Sequence, residues 1–423
     1  MNSPLDGKVR ALDLSMGWAG PLVGQMLAEM GAEVIKVEDT RRFDWWRGSL
    51  SMGPPEAQPI ERASVFNTAN RGKLGVTLDL NSARGIELVK RLVKMSDVLI
   101  ENYSPGVMDR FGLSYATLGA INSRLIMVSM PSFGSNGPEC NARGYGNTVE
   151  AMAGVTGLNG YHDNEQRYTL SNALGDPVAG LHGALVVLAA LRERARTGRG
   201  QLVEIAQVEA AIPLVAGAIL EYQFSGEVPR PRGNRHPRYA PHGVYRCAGD
   251  DACQPGHPWL AIAAETDQQW RAVADALGLA HLAADARFSD ASQRKVNEDA
   301  LDAELSRALA TMSADDAAHR LAAAGVYVAP VHSAAAVLAD AHLASRGYFV
   351  AIDRAVVGTH LYPGAVARLS ATPLSADAPA PLLGEHNRAV LGGMLGMSEA
   401  EIGELEQSGV IGTRPRDDRG ATR

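Results

Sequence analysis

Val9-Arg-Ala-Leu-Asp-Leu-Ser-Met-Gly-Trp-Ala-Gly-Pro-Leu-Val-Gly-Gln-Met-Leu-Ala-Glu-Met-Gly-Ala-Glu-Val-Ile-Lys-Val37 decides the fold class. Val9 to Leu14 is short, apolar and β-prone, so it predicts a strand. Pro21 to Gly31 places apolar residues at helical spacing and ends on a glycine, and Glu33 to Val37 is a second short apolar run. A strand, a helix and a strand within thirty residues make a βαβ unit, whose two strands lie parallel. The pattern repeats further on. Ser82 to Ser96 carries Ile86, Leu88, Val89, Leu92 and Val93 on one side of a helix, and Asp97 to Ile100 returns as a strand. The order is Rossmann-like without a G-x-G-x-x-G, which argues against an ordinary dinucleotide dehydrogenase. Nucleotide could still sit at the carboxyl ends of the strands.

Working outward, three segments follow. Residues 1–225 read as a large α/β domain with a parallel sheet. Near Gly226 the composition shifts, and Pro229-Arg-Pro-Arg-Gly-Asn-Arg-His-Pro-Arg-Tyr-Ala-Pro241 reads as a linker into a smaller α+β domain, 226–333. In that domain His242 to Ala264 suggests a hairpin, Gln268 to Leu279 and Ala300 to Ala324 helices, and Val326 to Val331 a strand. Residues 334–423 carry the chain back to the large domain, with an extended connection at Ser370 to Ala380 and a polar tail from Thr413 expected to be disordered.

The 423 residues are 46% hydrophobic and 21% charged, enough to bury a substantial core. A formal net charge of -7 leaves no basic excess to neutralise phosphates, which argues against non-specific nucleic-acid binding. Cys140, Cys247 and Cys253 lack metal-ligand spacing, and an odd count suits a reducing compartment; no metal site is expected. No apolar run approaches the roughly 20 residues needed to span a bilayer, so a soluble, cytoplasmic protein is expected.

Chemistry concentrates in Ala173-Leu-Gly-Asp-Pro-Val-Ala-Gly-Leu-His-Gly-Ala184, one carboxylate before an almost uncharged helix. Read alone, Asp176 is an N-cap with Pro177 at the first helical position, and Gly198 and Gly200 lie where the helix should stop. Unpaired N–H groups and the helix dipole there would keep the acid ionised. Ala173, Gly175 and Gly180 would either admit a bulky ligand close to the backbone or serve helix packing.

The stretch resembles the active-site helix of the class III coenzyme A transferases, a family that includes carnitine CoA-transferases and α-methylacyl-CoA racemases. The likeness continues in order at Leu12-Asp-Leu-Ser15, Gly31-Ala-Glu-Val-Ile-Lys-Val-Glu38, Asn70-Arg-Gly-Lys73, Asp97-Val-Leu-Ile-Glu-Asn-Tyr-Ser-Pro-Gly106 and Arg110-Phe-Gly112. It extends to Gly233-Asn-Arg-His-Pro237, His242-Gly-Val-Tyr245 and Pro381-Leu-Leu-Gly-Glu-His386. The resemblance implies an enzyme that transfers coenzyme A from an acyl-CoA thioester to a free carboxylic acid, with Asp176 passing through a mixed anhydride and an aspartyl-CoA thioester. It implies no permanently bound cofactor, coenzyme A being substrate, and a homodimer whose subunits thread through each other as interlocked rings.

Site residues carried by the resemblance are Gly17, Trp18 and Ala19 at the thioester, with a backbone donor near Ala19. Lys73, Asn102, Tyr103 and Arg110 correspond to residues along the coenzyme. Arg41 or Arg42 would substitute for an arginine that relatives place at Asp39. Trp18 stands where some relatives have glutamine, and with Phe43, Trp45 and Trp46 it would favour an acid larger than formate or oxalate if these rings face the acyl pocket; core packing is the other reading. Arg47 would then clamp a second carboxylate.

Two other readings stay open. A 2-methylacyl-CoA racemase would use the same aspartate as a base with a histidine opposite, but Arg143-Gly-Tyr-Gly-Asn147 carries Tyr145 in the histidine's place and Gly146 where an aspartate is usual. A non-catalytic partner subunit of a hetero-oligomeric transferase would not need Asp176. His182 and His386 read as structural.

Overall fold

A computed structural model of the chain describes residues 3–49, 59–170, 173–249 and 259–416. Contacts divide it into two compact units: Met1–Thr156 with Thr169–Val228 and Tyr348–Arg423, and Gly157–Tyr168 with Pro229–Gly347.

The larger unit is built on six parallel strands: β1 (Arg10–Asp13), β2 (Glu33–Glu38), β3 (Lys73–Thr77), β4 (Val98–Glu101), β5 (Ile126–Ser129) and β6 (Leu202–Glu204). They are ordered β3-β2-β1-β4-β5-β6, so the direction of winding reverses between β1 and β4. Alternating side chains feed two cores. Leu12, Ile35, Val76 and Leu99 pack against Leu88, Val89, Leu92 and Val93 of the helix Ala83–Lys94, whose N-cap Ser82 accepts the Arg84 amide. Ala11, Val34, Val98 and Ile126 pack on the other face with the helices Ala19–Glu29 and Gly175–Thr197. Burial on both faces explains the near-continuous apolar strands of the sequence.

The C-terminal segment completes this unit. The antiparallel pair β10 (Phe349–Arg354) and β11 (Gly358–Pro363) precedes the extended connection, where Pro379 accepts the Gly72 amide and Glu29 accepts that of Ser375. Val390, Leu391, Ile402, Leu405 and Ile411 then enter the first core. The chain rejoins the larger unit at Tyr348, fourteen residues beyond the start of the expected return segment. It is Arg354 that ties it in, donating to the Ala380 carbonyl and pairing with Glu61 at 2.7 Å. The start of the expected disordered tail is anchored too, the Arg416 amide donating to the Thr40 carbonyl; residues 417–423 lie outside the described residues.

The smaller unit has an antiparallel sheet β7-β8-β9 (His242–Arg246, Trp259–Ala263, Tyr327–Pro330), its core centred on Trp270, Phe288, Leu301, Leu305 and Leu321. The expected helix Ala300–Ala324 is two, Glu298–Leu309 and Ala314–Ala323, because Ser313 caps the second by accepting the Asp316 amide. The Pro/Arg stretch is not a free linker: Arg235 pairs with Asp299 and, at 2.7 Å, with Asp302. Cys140 and Cys247 are unpaired, and Cys253 lies outside the described residues. No helix among the described residues is long and apolar enough to cross a membrane.

Candidate active site

In an open parallel sheet the crevice for a ligand lies beyond the carboxyl ends of the strands, where the winding reverses. Here Asn102, just past β4, bridges that point: its Oδ1 accepts the Met16 amide and its Nδ2 donates to the Met16 carbonyl, both at 2.8 Å. Above it opens a cleft of about 1020 Å³ in the larger unit, lined from the loops after β1, β2, β4 and β5, from the helix Ser64–Ala69 and from the turn before Gly175. Asp176 is the only carboxylate among the described residues lining it.

Asp176 is not an N-cap. The helix starts at Gly175 with Leu174 in the cap position, so Asp176 is its second residue, and among the described residues none hydrogen-bonds its carboxylate. Burial, and then the negative charge of Glu150, raise its pKa from 3.8 to about 6. Its acidity is set first by loss of water, which disfavours the charged form. A carboxylate with this pKa is a better nucleophile or base than an ordinary aspartate and is still ionised at neutral pH.

The turn that presents it is tight. Ala173 has φ 43°, a left-handed conformation that costs an L-residue roughly 1 kcal/mol or more. Gly146 packs against that turn, where a Cβ would overlap the Cβ of Ala173 and stand 2.9 Å from Asp176 Oδ2. This accounts for the glycine in Tyr145-Gly146: an aspartate there has no room. Gly180 is packing rather than ligand access, since a Cβ would lie 2.8 Å from the Ala19 carbonyl oxygen where the two long helices meet.

Aromatic rings form one wall. Trp18 and Trp46 lie 5.4 Å apart, Trp46 and Trp45 5.9 Å, and Trp45 meets Tyr145 edge-on at 5.9 Å. All four line the cleft, and Tyr145 is 70% exposed. Tyr103 and Arg110 line it as well, together with Arg143 and Gln207, which sequence reasoning did not assign. Neither Arg110 nor Arg143 has an acidic partner among the described residues, so two free cations face this space. In Arg143-Gly-Tyr-Gly-Asn147 nothing but its place two residues before Tyr145 distinguishes Arg143.

Other expected residues lie elsewhere. Lys73 is inside the fold: its ammonium pairs with Asp13 at 2.8 Å and donates to the Pro21 carbonyl and Asn70 Oδ1. Arg47 is fully buried between Glu38 and Glu61, both at 2.8 Å, with its guanidinium over Phe66, and does not reach the cleft. Both corrections have one cause. Eight charges, four of each sign, run in a buried chain beneath the loop after β1: Lys73, Asp13, Lys36, Asp44, Glu38, Arg47, Glu61 and Arg354. Asp44 holds the amides of Gly17 and Trp46 at 3.0 Å, so this chain fixes the tryptophan wall from below.

Gly17 therefore faces Asp44 with its amide, and Ala19 opens the first helix with its side chain buried. Arg41 pairs with Asp79 at 3.1 Å, and neither it nor Arg42 lines the cleft. Phe43 is absent from the lining also. His182 bonds the Val178 carbonyl of its own helix, and His386 Nδ1 accepts the Gly75 amide.

The fold and cleft define an α/β enzyme with one acid, among the described residues, lining the cleft at the switch point of its sheet, and comparison with known proteins identifies the family. A model of CoA-transferase family III matches residues 5–387. The chain is 33% identical to the succinyl-CoA–D-citramalate CoA-transferase of Chloroflexus aurantiacus over 96% of its own length and 98% of that protein's. It is 32% identical to the succinate–glutarate CoA-transferase of Agrobacterium fabrum, covering 92% and 95%. The crystal structure of a CaiB/BaiF family protein from Brucella suis superposes with a TM-score of 0.84 at 34% identity, covering 93% of this chain and all of that one. The chain belongs to CoA-transferase family III and is a CoA-transferase.

Proposed function

We propose that this enzyme moves coenzyme A from an acyl-CoA thioester to a free dicarboxylic acid, with Asp176 as the covalent relay. One observation carries the reading: a carboxylate of raised basicity, the single one among the described residues lining a cleft of about 1020 Å³. The Asp176 carboxylate attacks the thioester carbonyl, the C–S bond breaks and the thiolate leaves, giving a mixed anhydride. The thiolate then attacks the Asp176 carbonyl and frees the donor acid. That leaves an aspartyl-CoA thioester. The incoming carboxylate repeats the two steps in reverse, forming its own anhydride with Asp176 and then its own thioester. Each bond broken is replaced by one of similar energy, so no other energy source enters.

Arg110 and Arg143, unpaired at the cleft, suit the phosphates of coenzyme A. Arg110→Ala is expected to raise the apparent KM for the thioester about tenfold, roughly 1.4 kcal/mol, with the larger loss at low salt. An unchanged KM removes Arg110 from the site. Dicarboxylic acids are favoured because two relatives are named for succinyl-CoA with citramalate and for succinate with glutarate. The tryptophan wall also leaves a very small acid without contacts. Trp18→Gly is expected to broaden acceptor choice and weaken the native acid by about 1–3 kcal/mol, read as the ratio of kcat/KM between a large and a small acid. If that ratio does not change, Trp18 has no part in acceptor choice.

A racemase needs a second base facing the aspartate, and no histidine is among the lining residues described. A homodimer is supported by the apolar surface of the larger unit, where Leu185 is 66% and Phe224 87% exposed. The test is incubation with succinyl-CoA or acetyl-CoA and a panel of free acids, with the coenzyme A esters followed by mass. Transfer is the expected result; α-deuterium exchange without transfer would establish the racemase instead.

A further inference from the structure

Glu150 has no role in the chemistry described so far. It lies on the seven-residue helix Gly146–Met152, completely buried, beside the apolar cluster of Val149, Ala153 and Ala211. One carboxylate oxygen accepts the backbone amide of Leu174, the residue that joins the left-handed Ala173 to the helix carrying Asp176. The other oxygen is buried with no hydrogen-bond partner, and no cation pairs with this side chain among the described residues. A carboxylate left uncompensated in such surroundings is unfavourable, and a residue needed only for packing there would be apolar.

We propose that Glu150 is the positioning residue of the nucleophile: one oxygen tethers the Leu174 amide and so fixes the turn that presents Asp176, while its unpaired negative charge acts on the Asp176 carboxylate. This rests on Asp176 being the covalent relay. The tether holds the carboxylate where Gly146 leaves room for it, and the charge makes it more basic and hence a stronger nucleophile.

Other ionisable groups line the cleft with Asp176 or lie on the elements packed against its helix. Arg110, Arg143, Tyr103, Tyr145 and Cys140 line the cleft. His182 follows on its own helix, and the packed helices Ala19–Glu29 and Gln207–Ala211 contribute Glu29 and Glu209. Of all these charges it is that of Glu150 that adds to burial in raising the Asp176 pKa.

Two variants separate the tether from the charge. Glu150→Gln keeps an oxygen for the Leu174 amide and removes the charge. The acid limb of its kcat/KM profile is expected about one pH unit lower, so that at pH 5 activity relative to its own plateau rises roughly fivefold, while the plateau falls about twofold to threefold. Glu150→Asp keeps the charge but is one methylene too short for the tether. Its limb is expected near that of the native enzyme, with kcat about tenfold lower and the thioester KM within about twofold.

Trapping of the Asp176 thioester by hydroxylamine, followed across the same pH range by peptide mass, is the second readout. A Gln variant with native limb and plateau, or an Asp variant with native kcat, overturns the proposal. Absence of any Asp176 adduct in the native enzyme at every pH overturns the covalent relay itself, a distinguishable failure.

Discussion

Asp176→Asn is expected to abolish transfer, lowering kcat by about four orders of magnitude or more, roughly 5 kcal/mol of transition-state stabilisation. The amide is isosteric, so the fold should persist and acyl-CoA should still bind. Hydroxylamine should mark the Asp176 peptide in the native enzyme and nothing in the variant. In the native enzyme kcat/KM should rise with pH through an apparent pKa near 6, the value to which burial and Glu150 raise this carboxyl. A variant free of deamidation that keeps near-native activity would rule out the covalent relay.

The same substitution should stabilise the protein. The folded-state pKa of about 6 lies above the ordinary 3.8, so the native state holds this proton more tightly than the unfolded chain does. Stability from the protonated form is complete below about pH 4 and is lost as pH rises to 6. The loss is at most roughly 3 kcal/mol. Asparagine does not ionise and escapes it. Above pH 6 the variant should melt higher than the native enzyme, and the gap should close as pH falls to 4.

Lys73→Ala is the second large effect, and it is one of stability rather than affinity. Burial lowers the Lys73 pKa to about 8 more than Asp13 raises it, so the ammonium remains charged at neutral pH. Burial would raise the pKa of Asp13, but Lys36 and then Lys73 hold it below the ordinary carboxylate range. Removing Lys73 takes the direct ion-pair partner from a fully buried carboxylate, which keeps only the charge of Lys36 and the Ser15 hydrogen bonds, and leaves the Pro21 carbonyl and Asn70 Oδ1 without their donor. The expected cost is about 3–5 kcal/mol in urea unfolding, and Asp13→Asn combined with Lys73→Met should recover part of it. Protein that stays folded should show a thioester KM within about twofold of native. A rise in KM with no loss of stability would return Lys73 to the coenzyme.

The contrast between Lys73 and Asp176 marks how far local pattern reaches. Both sit in motifs of the same family at comparable strength, yet one is in the interior and the other in the cleft. A motif reports that a residue type belongs at a position; it does not say which way the side chain points. Arg47 makes the same point. It adjoins two tryptophans that do face the cleft, but the single turn Trp46–Ser49 sends it inward to Glu38 and Glu61. Arg143 is the converse, a cleft residue that no periodicity or spacing distinguishes from a solvated arginine.

The sequence alone determined the parallel α/β class of the larger unit and the positions of β1, β2 and β4 and of the helices Ala19–Glu29 and Ala83–Lys94, because those depend on apolar periodicity and on local start and stop signals; β3, β5 and β6 emerged only in the fold. It also determined the family, and Asp176 as the acid to examine, because order of motifs is a one-dimensional property. Only the tertiary structure decided the rest. It placed the winding reversal between β1 and β4, gathered eight buried charges beneath the cleft, left Asp176 as the single lining carboxylate among the described residues and set Glu150 behind it. Charge pairing, desolvation and the room left by Gly146 are each set by groups far apart in the chain, and their energies exist only once folding has brought those groups within a few ångströms.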